Sequence, residues 1–338
     1  MRIGIFTRTY SPNVGGLERL AEILANEFTN RGHNVSVITD VEVDDPHSDK
    51  ELPYKVVRTK KFLGRFSAFR EMDVILFFNL SLVGLLSLIP TFKPAVMVHQ
   101  GTYHTFQITR KPLELFKRLL TLFYQNIAGS KFVASYIFGR TEVIPNTYTT
   151  LPISKDIKRT KNFVFLGRLE LEKGCMLALK AFNSVLSKYP AASMTIIGTG
   201  SERISIDNYI KLQGIGGSVT LLGTVTGQEL IDELSKHHTM VIPSIWNEPF
   251  GMVALYGLAY CDNVISTRVG GLPEAVGGFG MIVTPQEEDI RDAMFKVLAG
   301  DSRPTEIIKA EINAHLDRHS PKNIAAAYLI VLEKTCNG

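Results

Sequence analysis

Cysteine and tryptophan are scarce in this sequence, long apolar runs are absent, and the common phosphate-binding glycine patterns are missing or incomplete. Its three cysteines, Cys175, Cys261 and Cys336, lie far apart and match no disulfide or zinc spacing. This excludes a disulfide-stapled scaffold and points to a reducing, cytoplasmic setting. The start, Met1-Arg-Ile-Gly-Ile-Phe-Thr-Arg8, lacks the apolar core and small-residue cleavage site of a secretory signal. The most apolar stretch, Val74 to Pro90, is broken by Asn79, Ser81, Gly84 and Ser87 and falls short of the roughly 20 residues that cross a bilayer. It reads as a buried strand followed by a buried helix. No P-loop sequence occurs, and Gly198-Thr-Gly200 lacks the third glycine of a dinucleotide fingerprint. The acidic segment Asp40-Val-Glu-Val-Asp-Asp-Pro-His-Ser-Asp49 has no companion ligand cluster elsewhere, so it reads as a solvated turn and no metal site is expected.

The composition, 45% hydrophobic and 21% charged over 338 residues, is that of a soluble globular protein with two domains. The net charge of +4 is unevenly spread. Residues 1–150 hold 18 Lys+Arg against 13 Asp+Glu, and between Lys55 and Arg118 the ratio is 11 to 3. Two segments there, Lys60–Arg70 and Arg110–Tyr124, interleave basic residues with Phe and Leu. Core helices with basic solvent faces account for much of this pattern, and contact with an anionic membrane surface is a further expectation. The aromatics are spaced as core residues rather than as a stacking platform, so no nucleic-acid partner is expected.

Ile3–Phe6, Arg8-Thr-Tyr-Ser-Pro-Asn-Val-Gly-Gly16, an amphipathic stretch with Leu17, Leu20, Ala21, Leu24 and Phe28 on one face, and Val35–Ile38 together form a βαβ unit. Gly15 and Gly16 stand where backbone can approach a ligand at a helix N-terminus. Tyr54–Arg58, Val74–Phe78 and Pro94–Gly101 continue the strands; His99 ends the last and is expected to face the crevice rather than the core, ahead of His104 as a candidate. Thr147–Ile153 reads as a linker.

The alternation restarts with strands at Phe163–Leu166, Met194–Ile197, Val219–Leu222, Met240–Ile242 and Val264–Ser266, which gives a second doubly wound sheet. Gly167-Arg-Leu-Glu-Leu-Glu-Lys-Gly174 puts Arg168 at a strand end and Lys173 at a helix start, two cations able to neutralise a diphosphate. Pro243-Ser-Ile-Trp-Asn-Glu-Pro-Phe-Gly-Met-Val-Ala-Leu255 leaves a buried strand, passes Glu248 and re-enters a helix near Gly251. Taken alone, that stretch fits a sugar-binding loop and an ordinary turn with a solvated acid equally well.

Together these stretches resemble the retaining family-four, or group 1, glycosyltransferases of the GT-B fold. The matching residues are Val14-Gly-Gly16, Val98-His99, Ile144-Pro-Asn146, Phe165-Leu-Gly-Arg168 with Glu172-Lys-Gly174, Glu248-Pro-Phe-Gly251 and Val269-Gly-Gly-Leu-Pro-Glu274, in the family's order across almost the whole chain. The resemblance implies an α/β chain of two doubly wound Rossmann-like domains facing across a cleft. Residues 1–150 would form the acceptor-side domain, 151–319 the nucleotide-sugar-binding domain, and 320–338 a helix returning to the first domain. It implies a UDP- or GDP-sugar donor as substrate, with no cofactor and no metal, and a lipid-linked or polysaccharide acceptor. Arg168 and Lys173 would hold the diphosphate. Glu248, Phe250, Gly251 and Met252 would hold the donor sugar, Gly15 and Gly16 would close on the donor phosphates, and His99 would face the reacting sugar, with His99 and Glu248 as the catalytic pair. Where the family carries a second glutamate near the donor ribose, this chain has Tyr256, which offers one hydrogen bond and no carboxylate. That departure leaves a non-catalytic nucleotide-sugar-binding relative, or an epimerase of the same fold, as alternatives.

Overall fold

The computed structural model describes residues 1–13, 15–43, 47–101, 111–154, 157–301 and 306–337. Its contacts divide the chain into two compact units, Met1–Thr149 with His319–Gly338, and Thr150–Arg318.

The first unit runs β1 (Arg2–Thr7), α1 (Gly16–Asn30), β2 (Asn34–Thr39), α2 (His47–Lys50), β3 (Lys55–Arg58), α3 (Phe62–Arg70), β4 (Val74–Phe78), α4 (Leu82–Leu88), β5 (Ala95–His99), α5 (Lys111–Leu120), β6 (Gln125–Ala128), α6 (Lys131–Ala134) and β7 (Thr141–Val143). The strands form one parallel sheet in the order β3-β2-β1-β4-β5-β6-β7. Side chains alternate across it, as a strand's period of two requires. Ile3, Ile5, Val74, Leu76 and Phe78 pack on one face with Leu20, Leu24 and Phe28 of α1. Phe6, Ile75, Phe77 and Met97 pack on the other with Phe69 of α3 and Leu85 and Leu88 of α4.

The expected strand and helix in Val74–Pro90 form, but only the strand is fully buried. Every residue of β4 is buried, whereas α4 leaves Val83 48% and Leu86 64% exposed. One row of α4 covers the sheet and the other faces outward. Gly84 is on the covered row, where a Cβ would lie 2.5 Å from the rings of Phe6 and Phe77. The acidic segment also differs from a solvated turn. Asp40 accepts from Arg8 and from buried Arg65, and Asp49 pairs with Arg58 through two bonds of 2.7 and 2.9 Å. Asp44 and Asp45 lie outside the described residues.

The second unit runs β8 (Lys161–Leu166), α7 (Cys175–Leu186), β9 (Met194–Ile197), α8 (Arg203–Gln213), β10 (Val219–Gly223), α9 (Gly227–Ser235), β11 (His237–Ile242), α10 (Val253–Tyr260), β12 (Asn263–Thr267), α11 (Leu272–Val276), β13 (Met281–Val283), α12 (Glu287–Leu298) and α13 (Glu306–Arg318). Its sheet is also parallel, in the order β10-β9-β8-β11-β12-β13. Residues 151–154 are tied to this unit: the Tyr260 hydroxyl bonds both N and O of Leu151, and Asp232 accepts from the N–H and hydroxyl of Ser154. The last helix, α14 (Pro321–Asn337), rejoins the first unit, where Ile324, Tyr328, Leu329 and Leu332 complete the core over α1. Among the described residues no helix is long and apolar enough to cross a membrane.

Candidate active site

Each sheet reverses its strand order once, between β1 and β4 in the first unit and between β8 and β11 in the second. Connections leave such a point in opposite directions, so the loops beyond the strand ends part and open a crevice. In the second unit the β8 loop carries Arg168 and Lys173, and the β11 loop carries Ser244 and Glu248. The fold therefore brings together residues 75 positions apart: Lys173 Nζ lies 2.5 Å from Glu248 Oε1, and the buried Ser244 hydroxyl donates to the same oxygen at 2.8 Å. The Lys173 and Glu248 side chains are only 23% and 11% exposed, so water screens the pair weakly. Both bonds fall on Oε1, and Oε2 has no hydrogen-bonding protein partner among the described residues.

The loops around this pair are held by backbone bonds and close glycine contacts. Ile245 N donates to Glu172 O at 3.0 Å, and Gly271 N donates to Glu248 O at 2.7 Å. The Thr267 hydroxyl donates to Ser244 O at 2.6 Å, and the Asn247 side chain accepts from Gly270 N at 3.1 Å. Gly174 has φ +68, and a Cβ there would lie 2.0 Å from the Pro243 carbonyl oxygen. Gly198 and Gly200, half of a dinucleotide pattern by sequence, pack the β9 loop against the β8 loop: a Cβ on either would meet the Gly167 or Leu169 carbonyl at 1.9 or 2.4 Å. Their place is explained by loop packing.

Arg168 reaches into solvent, 62% exposed, and pairs with Glu172 at 3.2 Å, a pairing that leaves the guanidinium able to turn. Phe250 is buried, Gly251 has φ +94 over Leu272, and Met252 precedes α10 without a side-chain cap; Ala254 N and Leu255 N of the first turn donate to the Gly251 and Met252 carbonyls instead. Tyr256 is half-buried one turn into α10, its ring 6.2 Å from that of Tyr260.

The first unit corrects one expectation. His99 ends β5 as read, but it does not face a crevice: it is fully buried, with Nε2 2.9 Å from Asn126 Oδ1. Burial lowers its pKa to about 4, against a smaller opposing effect of the Asn126 bond. Asn126, which has no sequence pattern to flag it, spends its amide nitrogen on the carbonyls of Thr121, Tyr124 and Arg140. Gly15 is extended at φ −167, which any residue adopts, and Gly16 begins α1; a Cβ at Gly15 would meet only the flexible Glu18 side chain. Gly15 is not demanded by the backbone conformation of the turn. Val14, His104 and Arg110 lie outside the described residues.

Residues 150–314 match the family model of glycosyl transferases group 1. The second unit is a group 1 glycosyltransferase domain. The chain is 33% identical over 153 residues to the D-inositol 3-phosphate glycosyltransferase of Corynebacterium jeikeium, covering 42% of this chain and 36% of that protein. It is 28% identical over 164 residues to the phosphatidylinositol N-acetylglucosaminyltransferase gpi3 subunit of Schizosaccharomyces pombe, covering 47% and 36%. The aligned part thus spans about a third of these relatives' length. Among solved structures, Anabaena HepE in complex with UDP-glucose matches with a TM-score of 0.83 at 18% identity, covering 99% of this chain and 100% of that chain. Sucrose-phosphate synthase from Thermosynechococcus elongatus matches at 0.76 and 18%, covering 98% of each. At these identities the likeness is one of fold. The expected fold class, α/β with two doubly wound Rossmann-like units of the GT-B type, is the one observed.

Proposed function

We propose that this chain is a retaining, metal-independent glycosyltransferase that moves a sugar from a nucleotide-sugar donor to a lipid-linked or polysaccharide acceptor. The observation that carries the reading is the Lys173–Glu248–Ser244 cluster at the strand-order reversal of the group 1 domain. Lys173 and the mobile head of Arg168 supply positive charge for the donor diphosphate, whose charge grows as the sugar departs. Glu248 is held through Oε1, so Oε2 can accept from a donor-sugar hydroxyl. Tyr256 supplies a single phenol where a ribose is expected, and UDP-glucose in the HepE complex makes UDP-sugars the first donors to try. In the first unit, the buried His99 acts as a neutral hydrogen-bonding group beneath the acceptor side rather than as a base, and a phosphate at the N-terminus of α1, beside Gly15 and Gly16, would have to displace the Glu18 carboxylate that lies against Gly15.

Among its described residues the second unit offers no carboxylate pair flanking one position as a double-displacement glycosidase needs. The reading is therefore a same-face substitution. The bond from the anomeric carbon to phosphate oxygen breaks, the bond to the acceptor oxygen forms on that face, and the acceptor proton passes to the departing phosphate. The test is transfer from UDP- and GDP-sugars to a panel of lipid-linked sugars in EDTA, with product stereochemistry read by NMR. A product with the donor's anomeric configuration supports the reading. An inverted product, or dependence on added metal, contradicts it. Tight donor binding without turnover would favour the non-catalytic alternative that Tyr256 suggests.

A further inference from the structure

Lys173 has two anions to serve. A donor diphosphate would draw on its charge, yet its Nζ already lies 2.5 Å from Glu248 Oε1, which also accepts from the Ser244 hydroxyl at 2.8 Å. The other acids of the β8 loop are engaged elsewhere. Glu170 accepts from the N–H and hydroxyl of Ser201, and Glu172 pairs with Arg168. The Glu172 and Arg168 side chains are 39% and 62% exposed, against 11% and 23% for Glu248 and Lys173. Water therefore screens the charge of Glu172 well and that of Glu248 poorly.

The Glu248 carboxylate is also fixed in place. Its own carbonyl accepts from Gly271 N at 2.7 Å, the Ser244 carbonyl accepts from the Thr267 hydroxyl at 2.6 Å, and Asn247 accepts from Gly270 N at 3.1 Å. A loop tied at three places cannot swing its acid away when a second anion arrives. An ammonium group has three N–H donors, so Lys173 can hold the carboxylate and a phosphate oxygen together. Its single positive charge is then divided between two anions that repel each other across a weakly screened distance.

The two ligands of such a site differ in what they gain from Glu248. A nucleotide sugar brings a hydroxyl that can bond Oε2. The nucleoside diphosphate left after transfer has no sugar hydroxyl, and its terminal phosphate has gained a second ionisable oxygen and more negative charge. It meets the repulsion without the bond.

We propose that Glu248 sets the preference of this site for the nucleotide sugar over the nucleoside diphosphate that transfer leaves behind. The fixed carboxylate opposes the diphosphate of both ligands, and only the sugar hydroxyl on Oε2 offsets that opposition, so product gives way to the next donor. This rests on the donor reading of the site and adds a role to it: one residue strengthens the substrate and weakens the product.

The experiment is isothermal titration of the full chain in EDTA with UDP, GDP, UDP-glucose, UDP-N-acetylglucosamine and GDP-mannose. The wild type should bind its best sugar conjugate more tightly than the matching free nucleotide. Glu248→Gln keeps the side chain's shape and removes its charge. It should bind the free nucleotide about threefold or more tighter than the wild type does, because Lys173 is left without its partner. The sugar conjugate, which loses a charge-assisted bond, should weaken about tenfold or more. Glu172→Gln removes the same charge from the adjacent, screened position and should shift neither ligand by as much as about threefold. Lys173→Ala should weaken both ligands. Melting temperatures check that each variant is folded. If Glu248→Gln does not fold, the wild-type order decides: a free nucleotide that binds more tightly than every conjugate of it overturns the proposal. A folded Glu248→Gln that binds the free nucleotide no more tightly than the wild type also overturns it. So does an equal gain in Glu172→Gln, which would reduce the effect to net charge. In each of these cases, conjugate binding that Lys173→Ala weakens leaves the donor reading standing. A folded wild type that binds no conjugate defeats that reading and this proposal with it.

Discussion

Lys173, Glu248 and Ser244 come from two loops, and each alone is an ordinary residue. What sets them apart is that the lysine and the serine converge on one carboxylate oxygen and leave the other without a hydrogen-bonding protein partner among the described residues. The lysine and the glutamate were legible in the sequence only through the ordered set of family motifs, because a charged turn at a strand-to-helix junction is common by itself. Ser244 was not, since serine after a strand is common and its aim depends on the loop's path. His99 shows the opposite error. Its place at a strand end was legible, but its orientation depended on Asn126 of the neighbouring strand, a partner no local pattern announces. Its burial also gives a pH prediction. His99 and His237, in different units, both have pKa values lowered to about 4 by burial, from an ordinary 6.5. Unfolded, they take up protons below about 6.5; folded, they stay neutral until about 4. The unfolded state therefore binds more protons in that window, and stability present above 6.5 is lost as the pH falls. At pH 5.5 the loss is about 1 kcal/mol per histidine. Urea unfolding should show lower midpoints at pH 5.5 than at 7.5, with part of the change removed by His237→Gln; equal midpoints would contradict the burial argument.

At the level of elements, apolar runs bounded by Gly, Pro and polar residues revealed most strands, with Val74–Phe78 and Met194–Ile197 at their observed limits. β6, β7 and β13 were not singled out: Gln125-Asn126 in β6 and Thr141-Glu142 in β7 break the apolar run, and β13 has only three residues. α4 was misread because Val83, Leu86 and Ile89 look like core in a linear sequence, and nothing in composition says which apolar row faces the sheet. The glycines show how loops are held. Gly174 combines a left-handed backbone with carbonyl contact, so Gly174→Ala should push the β8 loop away from Pro243. A cost of about 2 kcal/mol or more is expected from the added strain and clash. Thermal unfolding should show a lower transition together with weakened nucleotide-sugar binding; an unchanged melting temperature would mean that the two loops are not packed as described.

For the whole molecule, the chain leaves the first unit after Thr149 and returns to it after Arg318. α14 contributes Tyr328 and Leu332, both fully buried, to the first unit's core. Removing residues 319–338 should therefore destabilise the first unit and spare the second. Calorimetry of the shortened chain should keep one transition near its original temperature and lower or abolish the other. Retention of both would show that α14 is dispensable to the first unit.

The central claim is that the group 1 domain binds a nucleotide sugar through Lys173 and Glu248. Isothermal titration of the full chain with UDP- and GDP-sugars in EDTA tests it most directly. The account predicts saturable binding of at least one donor, weakened tenfold or more in Lys173→Ala and in Glu248→Gln, with both variants still folded. Binding that these substitutions leave unchanged, or no binding of any donor by the folded protein, would contradict it.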